Sequence, residues 1–374
     1  MKILQTGDLH LGKILYEYSL LEDQKYILNQ ITEILLQDDF DVLAITGDIY
    51  DRAIPSPEAV ELFDQFLTNL HKKKPNLAIL IISGNHDSAR RLSFASKLLA
   101  SNNIYICAEN LSEKIENQKP ISLKDSTGFQ CDFYLVPFFH ADDIKNIVEN
   151  ISPNPENPSI LFSHCLTLGV ETSSSERTFV GTAENIDSSI FEKFTYTGLG
   201  HIHKPQKVSE KIYYSGSPLA YSFDEIKYEK SFLKIEISKD KKLEIEKIPA
   251  NPLRKLVTIK DNFKNFLEKP EYQQFRNDYV EFVCTDSVLP SAASGSLKGI
   301  YPNFMTLRIE SSEDEGFEVF SNEVKQKMFE EKESLPIKDV FEAFVKDIYG
   351  KNLDEYEKEV ELLEKIAKEI QDEE

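Results

Sequence analysis

Residues 2–10 read KILQTGDLH: the run Lys2–Thr6, then Gly7, then Asp8 and His10 two positions apart. The run reads as a buried strand, and the polar residues follow it without a break. Four more apolar runs end the same way. DVLAIT leads to Gly47-Asp48, LAILIIS to Gly84-Asn85-His86-Asp87, SILFS to His164, and YTGLG to His201-Ile202-His203. If the runs are strands, all five clusters lie where a strand leaves its sheet, which is where open α/β sheets build their sites. The neighbouring glycines permit tight turns that direct side chains into a cleft.

Outward from these runs, strands expected at Lys2–Thr6, Asp41–Thr46 and Leu77–Ser83 are separated by helical patterns at Ser19–Gln37 and Pro57–His71, with Ser56 as a capping candidate. Strand–helix–strand order implies parallel pairing and an α/β layer architecture. Further strands are expected at Phe133–Phe138, Ile160–Ser163, Tyr196–Leu199 and Ile212–Ser215, with fewer helices between them. Ser231–Ile237 and Leu243–Ile248 alternate as an antiparallel hairpin would, and for this later run of strands as a whole a second sheet facing the first is expected. A boundary is expected near Pro249–Pro252. Beyond it, Lys255–Lys260, Tyr279–Cys284 and Phe304–Ile309 suggest a small α+β domain. From Ile337 the pattern is helical, with an apolar stripe through Val340, Phe341, Phe344, Val345 and Ile348 that resumes at Tyr356.

A chain of 374 residues holds two or three domains, and 41% hydrophobic residues exclude disorder as its main state. The net charge of −21 excludes a wholly basic, DNA-coating surface. Any nucleic-acid contact therefore uses a local patch, a metal centre or a partner. Of the 64 acidic residues, 21 lie beyond residue 310, so the remainder is only mildly acidic. The four cysteines are far apart, with no C-x-x-C pair, which argues against a zinc ribbon and suits a reducing compartment. MKILQTGDLH reaches acid before a signal-peptide core could form, and no apolar run approaches a membrane span, so a cytoplasmic protein is expected.

The chemical inventory is two Asp, one Asn and several His. Oxygen and imidazole donors suit Mn, Fe or Zn rather than a thiolate site. Asp8-x-His10 and His201-x-His203 each put two donors on one side of an extended segment. One such cluster alone is ordinary, because a lone Gly-Asp is usually a turn. Five of the seven histidines falling in the clusters decides against scatter. His71 precedes three lysines at an expected helix end, and His140 follows Phe138-Phe139 as a half-buried polar tip.

The ordered set D-x-H, GD, GNHD, H and GHxH resembles the calcineurin-like metallophosphoesterase superfamily. Within it, the chain is similar to the bacterial nuclease subunits that act with the SbcC ATPase. The likeness is carried by TGDLHLG, TGDIYDR, GNHDSARRL, ERTFVGT, GLGHIHKPQ and YSGSPLAYSFDE, and it is strong over about residues 1–240. It implies a two-sheet α/β/β/α sandwich with a small α+β cap and a C-terminal helical tail. The boundaries would be a nuclease domain at 1–250, a capping domain at 251–330, and a helical segment at 331–374 that binds SbcC.

The resemblance also implies two Mn²⁺ ions, with Mg²⁺ or other divalent ions as substitutes. The first would take Asp8, His10 and His203; the second Asn85, His164 and His201; Asp48 would bridge them, and His86 would be the catalytic histidine. Asp51 is a lesser candidate near the site. The implied activity is 3′→5′ exonuclease action on double strands and endonuclease action on single strands or hairpins, by a homodimer within a heterotetramer. Arg52, Arg90, Arg91, Arg177 and Lys204 could position DNA phosphates or be plain solvated surface cations. The rival readings are a phosphomonoesterase or cyclic-nucleotide phosphodiesterase on the same core, and a non-catalytic scaffold.

Overall fold

The computed structural model describes residues 1–108, 119–176 and 185–310. The tail helices expected from Ile337, and Arg177, lie outside the described residues. In chain order the principal strands are β1 (Lys2–Thr6), β2 (Val42–Thr46), β3 (Ala78–Ile82), β4 (Ile104–Cys107), β5 (Ile121–Lys124), β6 (Gln130–Val136), β7 (Ser159–His164) and β8 (Tyr196–Gly200). They continue as β9 (Gln206–Lys207), β10 (Ile212–Tyr214), β11 (Ser231–Ile237), β12 (Leu243–Pro249), β13 (Leu256–Asp261), β14 (Tyr279–Cys284) and β15 (Phe304–Ile309).

The first sheet runs β12-β11-β1-β2-β3-β4, parallel from β1 to β4 and closed by the antiparallel pair β11 and β12. The second runs β9-β10-β8-β7-β6-β5, with parallel pairing through its centre. Alternation in β1 explains why the sheets stack. Ile3 faces the second sheet, among Val42, Leu80, Phe133, Ile160 and Phe162. Leu4 faces the opposite way, into the layer formed by α1 (Leu21–Gln37) and α2 (Pro57–Lys73). Both faces of the strand are dry, as a parallel sheet requires. Each such aliphatic side chain contributes about 1.5–3 kcal/mol on burial.

α1 buries Ile27, Leu28, Ile31 and Leu35 on one stripe, with Glu22 and Asp23 in its first turn where the helix dipole favours acid. α2 starts as its sequence suggests: Ser56 Oγ accepts the Ala59 amide at 3.3 Å, Pro57 takes the first turn, and Lys72 and Lys73 close the last. A third helix not expected from the sequence, Ala141–Asn150, covers the second sheet with Ile144, Ile147 and Val148. The layers are therefore helix, sheet, sheet, helix.

β13, β14 and β15 form a small sheet with its own core around Phe266, Phe282, Leu297 and Tyr301. It lies in the same compact unit as the sandwich, Met1–Ile309. Asp23 ties the two parts, taking Arg254 Nη1 and the Tyr279 hydroxyl, each at 2.8 Å.

Two expectations shift in detail. The strand expected at Phe133–Phe138 begins three residues earlier and stops at Val136, because Pro137 has no amide to donate. β4 and β5, not expected from the sequence, are edge strands of only four residues, too short for their pattern to stand out. Among the described residues, no helix is long and apolar enough to cross a membrane.

Candidate metal centre

The carboxyl ends of β1, β2, β3, β7 and β8 open onto one place, and the five loops there are bound to one another. Asp8 N donates to Gly47 O at 3.0 Å, His10 N to Asp48 O at 2.9 Å, and Leu11 N to Ile49 O at 2.9 Å. Sharp reversal puts four site residues in the left-handed region: Asp8 at φ 51°, His10 at 44°, Asp48 at 47° and His201 at 97°. Such backbone costs about 1 kcal/mol or more per residue and persists only where packing over-determines it. Gly47 is a glycine for a specific reason. Its φ is 96°, and a Cβ there would sit 2.2 Å from His164 Nδ1.

All eight residues expected at the centre are brought together. Donor atoms of Asp8, His10 and His203 lie within 4.8 Å of one another, as do those of Asp8, Asp48 and His164, and of His10, Asp48 and His86. Asn85 Oδ1 stands 3.0 Å from both His164 Nε2 and His201 Nδ1. His10 Nε2 faces His203 Nε2 at 3.1 Å. Except for the half-buried Asn85, these side chains are buried.

Backbone groups fix the orientation of four of them. His164 Nδ1 donates to Thr46 O at 2.8 Å, and His86 Nδ1 to Asp51 O at 2.8 Å, so each presents Nε2 inward. Asp8 accepts the His201 amide and Asp48 the His86 amide, both at 2.9 Å.

Burial, and then the charge of Asp48, pushes the Asp8 carboxyl well above its ordinary range. Burial and the neighbouring His203 imidazole push His10 well down; burial likewise lowers His164 and takes His201 to about 3. The lowered imidazoles of His10, His164 and His201, crowded against the Asp8 and Asp48 side chains, form a donor set suited to a cation. Asp8 Oδ2 and His10 Nδ1 are buried and have no hydrogen-bond partner. Two imidazole nitrogens 3.1 Å apart can share one proton or one cation. The residues fit divalent ions held by oxygen and nitrogen.

The lesser candidates fall out unevenly. Asp51 is at the site rather than capping a helix: its Oδ1 takes Lys13 Nζ at 2.9 Å and lies 3.6 Å from His10 Nδ1. Arg52 is exposed and 3.8 Å from Asp51. Arg90 and Arg91 are exposed on the short helix Ala89–Leu92, which directly follows the Asn85–Asp87 loop. Lys204 is ion-paired with Glu171.

The sequence reading gave no role to two sets of residues. Asp87 accepts amides of Gly84 (2.9 Å), Tyr50 (3.0 Å) and Ile49 (3.1 Å), joining the loops after β2 and β3. Burial and the Asp48 charge push its carboxyl up to about 7. Behind His203 lie Glu225 and Lys230. Burial alone would raise Glu225, but its bonds to His203 and Lys230 outweigh that and hold the carboxyl far below the usual range. The signal was present in YSGSPLAYSFDE, where Glu225 ends the block. Nothing local says that this acid faces inward.

Residues 1–205 match the family of calcineurin-like phosphoesterases. The chain is 34% identical over 331 residues to the SbcD component of the nuclease SbcCD from Staphylococcus epidermidis, covering 82% of this chain and 85% of that protein. A crystal structure of Pseudomonas putida nuclease MPE matches 45% of this chain and 64% of its own at 18% identity, with a TM-score of 0.24. Both the extent of the family match and the identity to a curated nuclease component say that the chain belongs to the calcineurin-like phosphoesterase family.

Proposed function

We propose that the chain is a metal-dependent DNA nuclease, the hydrolytic subunit of a complex with an SbcC-type ATPase. What supports the reading is the convergence of Asp8, His10, Asp48, Asn85, His86, His164, His201 and His203 on one cleft. The similarity to a nuclease component across most of both chains supports the choice of substrate.

In this proposal Asp8, His10 and His203 would hold one Mn²⁺, Asn85, His164 and His201 would hold a second, and Asp48 would contribute to both. A bound pair of divalent ions supplies charge neutralisation on the scissile phosphodiester and lowers the pKa of the attacking water. The chain's own part is positional. Amide bonds to Asp8 and Asp48 fix which carboxylate oxygens remain free, and the carbonyls of Thr46 and Asp51 fix the imidazoles. His86, steadied through Nδ1, presents Nε2 to the leaving sugar oxygen and, when that nitrogen also carries a proton, donates it there. Asp87 keeps the loops carrying Asp48 and His86 in register.

The proposed cleavage is 3′→5′ on double strands and endonucleolytic on single strands and hairpins. Residues 1–250 are assigned to the nuclease domain, 251–330 to a cap, and 331–374 to the SbcC-binding segment. A cytoplasmic homodimer in contact through α2 and the segment after Arg91 completes the assignment. Labelled linear duplex, incubated with Mn²⁺, should be degraded and EDTA should abolish it. Turnover of nitrophenyl phosphate with none of DNA would overturn the choice of substrate. Deleting residues 337–374 should leave the nuclease active and abolish pull-down of SbcC; retained pull-down would remove that segment from the interface.

A further inference from the structure

The imidazoles of the centre are not supported alike. His164 and His86 lean on backbone carbonyls, and His10 Nδ1 has no hydrogen-bond partner, its nearest carboxylate being Asp51 at 3.6 Å. His203 differs. Its Nδ1 lies 3.0 Å from Glu225 Oε1 and 2.7 Å from Ser175 Oγ, while its Nε2 faces His10. The Ser175 hydroxyl also bonds Glu225 Oε1, which can only accept, so its single proton is engaged there. The Ser175 oxygen is then an acceptor towards His203, and both neighbours of Nδ1 call for a proton on it.

Glu225 is itself held on every side. Oε1 also accepts from Ser173 Oγ at 3.1 Å and Ser222 Oγ at 3.2 Å. Oε2 takes Lys230 Nζ at 2.5 Å and the Tyr221 amide at 3.3 Å. Lys230 Nζ in turn reaches His203 O and Ser217 Oγ, both at 2.9 Å. Side-chain exposure is 0% for Glu225 and 7% for Lys230. A buried ion pair seldom adds stability over apolar packing, so its presence calls for another reason. A carboxylate behind a metal-binding imidazole fixes the ring and raises its basicity.

We infer that Glu225 is a positioning residue that keeps His203 protonated on Nδ1, with its Nε2 lone pair turned into the centre, and so makes the Asp8–His10–His203 site the tighter of two. The inference rests on the two-ion reading above. Lys230 neutralises the carboxylate without taking it from His203, since it is bound to the other oxygen and to the His203 carbonyl.

The test is calorimetric titration of the full chain with Mn²⁺, in the presence of a competing chelator. Wild type should take two ions of unequal affinity. Glu225→Gln keeps shape and an acceptor but loses the charge, and should weaken the tighter site about 10- to 100-fold while sparing the other. Unchanged affinities overturn the inference, as does equal weakening of both sites with a lowered metal-free melting temperature. A single ion on wild type defeats the two-ion reading instead, and Glu225→Gln must then weaken that one. No ion at all defeats both. If Glu225→Gln does not fold, nitrogen NMR of the zinc-loaded wild type decides: a proton on His203 Nδ1 is expected, and its absence overturns the inference.

Discussion

His10 Nε2 and His203 Nε2 are 3.1 Å apart although 193 residues separate them. One comes from the first sheet and the other from the second. Their meeting requires the two sheets to stack with their carboxyl ends on the same side, which the shared core around Ile3, Leu80, Phe133 and Phe162 enforces.

His86 and Asp48 should fail in different ways. Loss of a positioned proton donor costs about 10²- to 10⁴-fold in rate. His86→Ala is therefore expected to keep Mn²⁺ binding and lose kcat. Asp48→Ala, which removes a carboxylate common to two donor groups, should lose binding as well. Calorimetry alongside the nuclease assay separates them, and wild-type rates for His86→Ala would remove it from the reaction.

Gly47→Ala should injure the centre without touching a donor. The added methyl meets His164 Nδ1 at 2.2 Å, in a backbone conformation already unfavourable for an L side chain. His164 must move away from Thr46 O and Asn85. We expect a melting temperature several degrees lower, on the order of 1–3 kcal/mol, and Mn²⁺ affinity reduced at one site. Intact affinity would mean that the loop gives way elsewhere.

Acid should destabilise the metal-free protein through His201. Burial, aided by the neighbouring His164 imidazole, lowers it from 6.5 to about 3. The folded chain then binds fewer protons than the unfolded one between these values. Its contribution is intact above about pH 6.5 and is lost as pH falls towards 3, with a limiting slope of about 1.4 kcal/mol per pH unit. Urea midpoints of metal-free wild type should fall more steeply over this window than those of His201→Asn. Parallel curves would contradict the depressed value.

Arg90 and Arg91, exposed beside the Asn85–Asp87 loop, are expected to touch DNA phosphates. Each phosphate neutralised contributes about 0.9 to the slope of log affinity against log salt. Replacing both with alanine should flatten that slope by roughly 1–2 without altering sequence preference. An unchanged slope assigns them to bulk solvent.

Much of the centre was legible because its parts are local. Each of the five clusters follows an apolar run, and each run proved to be a strand that carries its cluster at or just beyond its carboxyl end. Ser56 was legible for the same reason, since its bond spans only three residues. The helix Ala141–Asn150 was missed because its few apolar residues gain meaning only against the second sheet. Lys204 looked like a free cation until Glu171, 33 residues earlier in the chain, was found against it.

The sequence alone determined the donor types, their order and their placement at strand ends, because strand period and glycine turns act over a few residues. Only the tertiary structure decided which nitrogen of each histidine faces inward. It also put Asp87 beneath two loops and Glu225 behind His203. Those outcomes depend on carbonyls, amides and carboxylates that arrive from distant segments, and burial makes each unsatisfied partner costly enough to fix the arrangement.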